Sequence, residues 1–320
     1  MNESIFTAAP LAGFVARWLT FAGVFLAFGS AVFRIAVVGR AAMPRDTVHS
    51  LARRAATCGG GGAAAVVIGA LSRLYFQTAE MRFPGDPWLP VATNLLTNTS
   101  WGGLWLAQVV LAILVASVLH FVARNDSTLL WRVVAALALC LTVTPALTSH
   151  AMSGHSVSHY ITVPADMLHL IGASAWLGTM TVMFIALRRE QATVTAPASA
   201  TASGAGRSVL APLLVYFSPL ALFGAAAVVA SGVVASYAHV GGVNNLFSSA
   251  YGRLLLVKLA VVLMVVAFGW RNWKRMTPRL RELGDRAMLR SVAGEVLLAI
   301  LVLAVTAVLV ITPPPTGMAG

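Results

Sequence analysis

Long apolar runs separated by short polar segments follow one another along the whole chain. A helix that crosses a bilayer needs roughly 20 mostly apolar residues, and these runs reach that length. Because lipid cannot satisfy open backbone groups, each run is expected to be helical, and the runs are too continuous for β-barrel strands. The pattern predicts an all-α, polytopic membrane helix bundle. Its eight predicted spans cover residues 11–37, 52–76, 100–123, 130–149, 162–187, 210–237, 252–273 and 291–312.

Basic residues concentrate in alternate loops. Most of the 22 Lys and Arg residues lie between spans 1 and 2, 3 and 4, 5 and 6, or 7 and 8. The positive-inside rule makes these loops cytoplasmic and predicts that both termini are periplasmic. The formal net charge is +12, but these charges flank the spans and so do not indicate nucleic-acid binding. The chain is therefore expected to lie within a membrane, surrounded by lipid.

A single integral membrane domain is predicted over residues 1–320. Residues 191–206, QATVTAPASATASGAG, are rich in Ala, Thr, Ser and Gly, which predicts a flexible cytoplasmic linker. The sequence contains no Walker motif, GxSxG elbow, HExxH motif or pair of catalytic carboxylates. We therefore expect a protein that is not an enzyme.

One stretch, SHAMSGHSVSHYITVPADMLHL, holds four of the seven histidines. It lies on the predicted outer face, where His239 also falls. Imidazole suits copper, zinc, iron and nickel, and thioether sulfur adds a preference for Cu(I). This composition predicts a copper site, with zinc and Ni(II) left open. The candidate metal ligands are His150, Met152, His155, His159, Asp166, Met167, His169 and His239.

Helical spacing divides these candidates into two groups. His155 and His159, four residues apart, would share one side of a helical turn in a collecting loop. Asp166 and His169, three residues apart, lie at the start of span 5. An ionisable residue inside a span is costly and by default indicates function, so His169 is the main candidate. Asp166 either orients the His169 ring, as carboxylates do beside metal-bound histidine, or is itself a ligand.

Several segments resemble the bacterial copper resistance D (CopD) family of membrane proteins. DMLHLIGASAWLGTM resembles its H-x6-W-x-G signature, through His169, Trp176 and Gly178, and SGHS resembles the segment before it. SSAYGRLLLVKLAVV is similar to a family segment that carries Arg253 and Lys258. GEVLLAILVLAVTAVLVITPPP resembles the final span. The resemblance covers roughly residues 145–315.

The resemblance implies an inner-membrane copper protein that moves Cu(I) or Cu(II) across the membrane. It also implies a small periplasmic copper-binding partner of the CopC type. Trp176, Arg253 and Lys258 would then support the site, with Arg253 and Lys258 framing its entrance or pairing with Asp166.

Two other functions remain open on the sequence. A haem b protein needs paired axial histidines on facing helices. His169 could pair with His150 or His239 on the outer side, and His49 with His120 on the inner side. The third interpretation is a copper chaperone for oxidase assembly that transports nothing.

Overall fold

The structure is a computed structural model that describes residues 8–150, 159–194, 208–240, 242–313 and 315. These residues form eleven α-helices. The helices are α1 (Ala8–Val32), α2 (Arg45–Met81), α3 (Trp88–Asn98), α4 (Ser100–Val122), α5 (Thr128–His150), α6 (His159–Ala173), α7 (Thr179–Val194), α8 (Leu210–Val240), α9 (Val243–Ser248), α10 (Ala250–Arg271) and α11 (Leu280–Ile311). Three π-helical turns extend or join them, at Phe33–Val38, Ser174–Gly178 and Asn272–Met276.

Eight of these segments are long and apolar enough to cross a membrane, which confirms the predicted spans. They run over Gly13–Val38, Arg45–Met81, Ser100–Val122, Thr128–Ser149, Tyr160–Arg188, Leu210–Val240, Ala250–Met276 and Gly284–Ile311. The fifth combines α6 and α7 through the π-helical turn at Ser174–Gly178. Helix α7 continues to Val194, so the first four residues of the predicted linker at 191–206 are helical, and the rest lies outside the described residues.

Helix α1 packs against α2, α5, α7 and α11, and so lies at the centre of the bundle. Glycines allow its closest approaches. A Cβ on Gly178 would lie 2.2 Å from the Phe25 carbonyl oxygen, and one on Gly62 would lie 2.7 Å from the Gly23 carbonyl oxygen. Small residues at helix interfaces let membrane helices come this close. The π-helical turn after α6 is therefore pressed directly onto α1.

The short helices α3 and α9 were not predicted, and they introduce the following spans in the same way. Thr99 and Ser249 are the N-caps of α4 and α10, and their hydroxyl oxygens accept from the backbone N–H groups of Gly102 at 3.0 Å and Gly252 at 2.9 Å. Such caps satisfy the open donors at a helix start. Each capping hydroxyl also donates to the carbonyl four residues earlier, at 2.6 Å. The same capping arrangement therefore marks the first residue of both α4 and α10.

Candidate functional site

A narrow cavity lies in the half of the bundle that the charge pattern predicts to be outer. His169, Lys258 and Thr306 are its polar lining residues. Aromatic side chains close it, namely Phe21, Phe25 and Trp176. Its volume is about 40 Å³, and a single water needs roughly 10–15 Å³ on this scale. The cavity therefore has room for an ion or a few waters.

The His169 ring is held in one tautomer by helix α8. Its Nδ1 lies 3.2 Å from the Ser231 hydroxyl oxygen. The Ser231 hydroxyl has the Ala227 carbonyl at 2.6 Å and the Val228 carbonyl at 3.2 Å as acceptors for its one hydrogen, which favours Nδ1–H as the donor to Ser231. The Val228 carbonyl also interacts with the ring, and a carbonyl can only accept. Nε2 therefore keeps the lone pair that a metal ion requires.

Charged groups surround this ring. The Asp166 carboxylate is close enough to interact electrostatically with His169, Tyr251 and Lys258. Lys258 lines the same cavity as His169. Asp166 and Lys258 are the acidic and the basic side chain that act on the imidazole. The site thus combines an imidazole and a lysine that line the cavity with a nearby aspartate that does not.

A second histidine lies beside this group. The His239 ring stacks on the Tyr251 ring, with centroids 6.2 Å apart and planes 17° apart. Its Nδ1 is 2.7 Å from the Ala235 carbonyl oxygen, which can only accept. The proton is therefore on Nδ1 here too, and Nε2 is the lone-pair nitrogen. Since Tyr251 also interacts with Asp166, His239, Tyr251, Asp166 and His169 form a connected series.

The structure brings together part of the predicted ligand set. Met167 is half-buried and Arg253 is exposed, and neither lines the cavity, whereas Trp176 does. Within the described ranges, no three His, Cys, Asp or Glu side chains form a group that could hold a metal ion. Four predicted ligands cannot be placed. Met152 and His155 lie outside the described residues, as do the side chains of His150 and His159 at the ends of α5 and α6.

Ser231 was missed by the sequence reasoning. The residue lies in an apolar span 62 positions from His169. The Ser231-Gly232 pair interrupts the large apolar side chains of that span and could have indicated a site there. Gly232 lies beside the imidazole: a Cβ there would be 3.6 Å from Cε1 and 3.7 Å from Nδ1. The pair thus supplies both the hydrogen-bond acceptor and the space for the ring.

The two inner histidines have other neighbours. The His49 side chain is exposed, and its Nδ1 lies 3.5 Å from Oδ2 of the buried Asp126 carboxylate. His120 is exposed and lies against Phe121, with ring centroids 6.1 Å apart. At this end of the bundle, the Asp126 carboxylate accepts several hydrogen bonds. It accepts from both Arg34 Nε at 2.9 Å and Arg34 Nη2 at 2.7 Å, and from Trp131 Nε1 at 2.7 Å.

The eight spans and the half-buried histidine beside a carboxylate and a lysine define a class: polytopic helical membrane proteins with an intramembrane polar site. Family models narrow the class. The model "Copper resistance protein D-like, N-terminal domain" matches residues 7–160, and the model "Copper resistance protein D" matches residues 211–309. The chain belongs to the copper resistance protein D family.

Two curated relatives agree with this assignment. The chain is 27% identical to the Inner membrane protein YebZ of Escherichia coli (strain K12) over 275 residues, 85% of this chain and 86% of that protein. It is 27% identical to the Copper transport protein CutJ of Bacillus subtilis (strain 168) over 223 residues, 69% of this chain but 38% of that protein. No solved structure matches the chain. The protein is thus a copper-related, multi-pass inner membrane protein.

Proposed function

We propose that this protein takes copper from the periplasm and moves it across the inner membrane. The observation that carries the proposal is the orientation of His169. With Nδ1–H as the donor to Ser231, Nε2 keeps its lone pair, and the ring lines a cavity that has the size for an ion. The relative named as a copper transport protein supports copper as the cargo. A nitrogen ligand next to a carboxylate is chemically compatible with Cu(I) or Cu(II).

Copper would reach this site in steps. A periplasmic copper-binding protein of the CopC type would deliver it to the outer face. His150, Met152, His155 and His159 would collect it there, and His239 would lead toward Asp166 and His169.

Lys258 determines how the site changes on loading. While the site is empty, its ammonium group is attracted by the Asp166 carboxylate. An entering copper ion adds positive charge next to that ammonium, and like charges repel strongly in a low-dielectric environment. Copper therefore replaces Lys258 as the cation that faces Asp166, and the lysine moves aside.

The test is cellular copper accumulation in a strain that lacks the chromosomal copy. His169→Ala should reduce accumulation to the level of the empty vector, because it removes the imidazole that lines the cavity. His120→Ala is the matched control, since that histidine is exposed, and it should accumulate copper like the wild type. Unchanged copper content in the His169→Ala strain, with the protein present in the membrane, would refute the transport site.

The same strains separate the two other functions. If oxidase activity falls at limiting copper while total copper stays normal, the protein is a chaperone rather than a transporter. If the purified protein is pigmented with a Soret band, it binds haem. The small cavity beside His169 favours an ion over a porphyrin.

A further inference from the structure

A second polar site lies deeper in the bundle, where α10 meets α11. The Glu295 side chain is 6% exposed and Asn272 is 3% exposed. The Asn272 side-chain amide donates to Glu295 Oε1, and the Ser291 hydroxyl donates to Asn272 Oδ1 at 2.6 Å. Asn272 begins a π-helical turn, a deformation that frequently marks functional sites. The proposed copper site makes no use of these residues.

This second site continues the seam that lines the copper cavity. Along α10 and into the π-helical turn that follows it, Lys258, Val265 and Asn272 are spaced by seven residues and therefore lie on one side. On α11, Glu295 and Thr306 are eleven residues apart, about three helical turns, and so they also share one helix face. Lys258, Val265 and Thr306 line the cavity, so Asn272 and Glu295 lie two turns below it, about 10 Å along the helix axes. Val296 and Ala299 are apolar and buried between the two sites, and so are Val265 and Val302 at the edge of the cavity.

No cation neutralises Glu295 in the part of the chain that the structure describes, where the ion pairs found are those of Asp126. Helix α11 packs against α1, α7, α10 and the π-helical turn after α10. Among the described side chains, the charged groups that these elements and α11 itself place in this half have other neighbours or are exposed. Arg34 forms an ion pair with Asp126, and Asp285 accepts a hydrogen bond from Ser208. Three cations lie against aromatic rings: Arg188 against Phe184, Arg271 against Phe268 and Lys274 against Trp270. The remaining charged side chains are exposed, namely Arg275, Glu282, Arg286 and Arg290.

The bound group that fits this site is a proton. An unpaired carboxylate inside a membrane is costly, and protonation removes that charge. The Asn272 amide donates to an oxygen that is an acceptor in both the acid and the carboxylate, so the hydrogen bond survives either state. The other polar groups of this site are amide and hydroxyl oxygens. Such oxygens suit hard ions and are poor ligands for Cu(I).

We propose that Glu295 is the proton-binding group of the transporter, protonated while the copper site is empty and ionised when copper occupies the bundle. This inference rests on the proposed copper transport. The step exchanges charges: copper enters as a cation, and the O–H bond of Glu295 breaks and releases a proton to water. Binding linkage is reciprocal, so copper lowers the proton affinity of Glu295 as much as the proton lowers the affinity for copper.

The first experiment is infrared difference spectroscopy on the purified full-length protein. The copper-free wild type should show the stretching band of a protonated carboxyl in an apolar environment, and Glu295→Gln should lack it. The glutamine resembles the protonated acid and still accepts from Asn272, so this variant should fold. Glu282→Gln is the matched control on the exposed end of α11 and should keep the band. A wild type without the band overturns the proposal.

The second experiment measures protons released when Cu(I) is added in weak buffer. The wild type and Glu282→Gln should release about one proton per copper bound, whereas Glu295→Gln should bind copper and release almost none. Equal release from the wild type and Glu295→Gln would overturn the proton site and leave copper binding intact. A wild type that binds no copper would instead contradict the proposed function and the coupling with it.

Discussion

The hydrogen bond between His169 and Ser231 gives the sharpest test of how the site is built. Ser231→Ala removes the hydroxyl that accepts from Nδ1–H at 3.2 Å and leaves the rest of α8 unchanged. The imidazole can then rotate or carry its proton on Nε2, and either change removes the lone pair from the cavity. Metal affinity should therefore fall although no ligand has been altered.

The size of the effect follows from the contacts. A hydrogen bond contributes about 0.5–1.5 kcal/mol net, and loss of a group that orients a metal ligand typically weakens binding about 10–100-fold. This bond is long, and the Val228 carbonyl still interacts with the ring. We therefore expect the lower end, a loss of about 10-fold in Cu(I) affinity, which corresponds to about 1.4 kcal/mol.

Competition titration of the purified protein against a chromophoric Cu(I) chelator measures this affinity. Ser72→Ala is the control, because Ser72 makes the same type of bond to the carbonyl four residues earlier, at 2.9 Å, on an exposed part of α2. It should bind copper like the wild type. Equal affinities for Ser231→Ala and the wild type would refute the reasoning about the tautomer.

Three further perturbations test other parts of the account. Lys258→Met removes the cation that competes with copper, so Cu(I) should bind more tightly in the same titration, by about tenfold or more if the charges interact by at least 1.4 kcal/mol. Arg34→Met leaves the buried Asp126 carboxylate without its bidentate partner and should lower thermal stability in detergent, by about 3–5 kcal/mol of unfolding free energy. Gly178→Ala places a methyl group 2.2 Å from the Phe25 carbonyl and should lower the midpoint of thermal unfolding by forcing the π-helical turn away from α1.

Neutral results would contradict each of these expectations. Gly61→Ala is the control for the glycine variant, because a Cβ there meets nothing within 4 Å. Arg53→Met serves the same purpose for the arginine variant, since Arg53 is exposed. For Lys258, the arginine substitution keeps the charge and should bind copper no more tightly than the wild type.

The sequence was sufficient to predict the spans because the signal is local. A run of about 20 apolar residues is visible without knowledge of its neighbours, and all eight runs are helices in the structure. The short helices α3 and α9 carry no such signal, and only the Thr99 and Ser249 caps indicate where they end. The π-helical turns depend on packing: the turn at Ser174–Gly178 lies against α1, far away in the sequence.

The candidate site likewise contains residues that the sequence indicates and residues that only helix packing reveals. His169 and Asp166 stand out in the sequence because ionisable residues are rare within spans. The partners of His169 do not stand out, since Ser231 lies on α8 and Lys258 lies on α10. Asp126 was missed for the same reason, because Arg34 is 92 positions away. Pairings between distant helices follow from how the helices pack, which hydrophobic periodicity does not reveal.

The central claim is that His169 binds copper, and X-ray absorption spectroscopy of the Cu(I)-loaded protein tests it most directly. The wild type should retain copper after desalting and show scattering from a histidine ring, and His169→Ala should lose both the metal and that signal. Equal copper content with an identical spectrum in the two proteins would contradict the account.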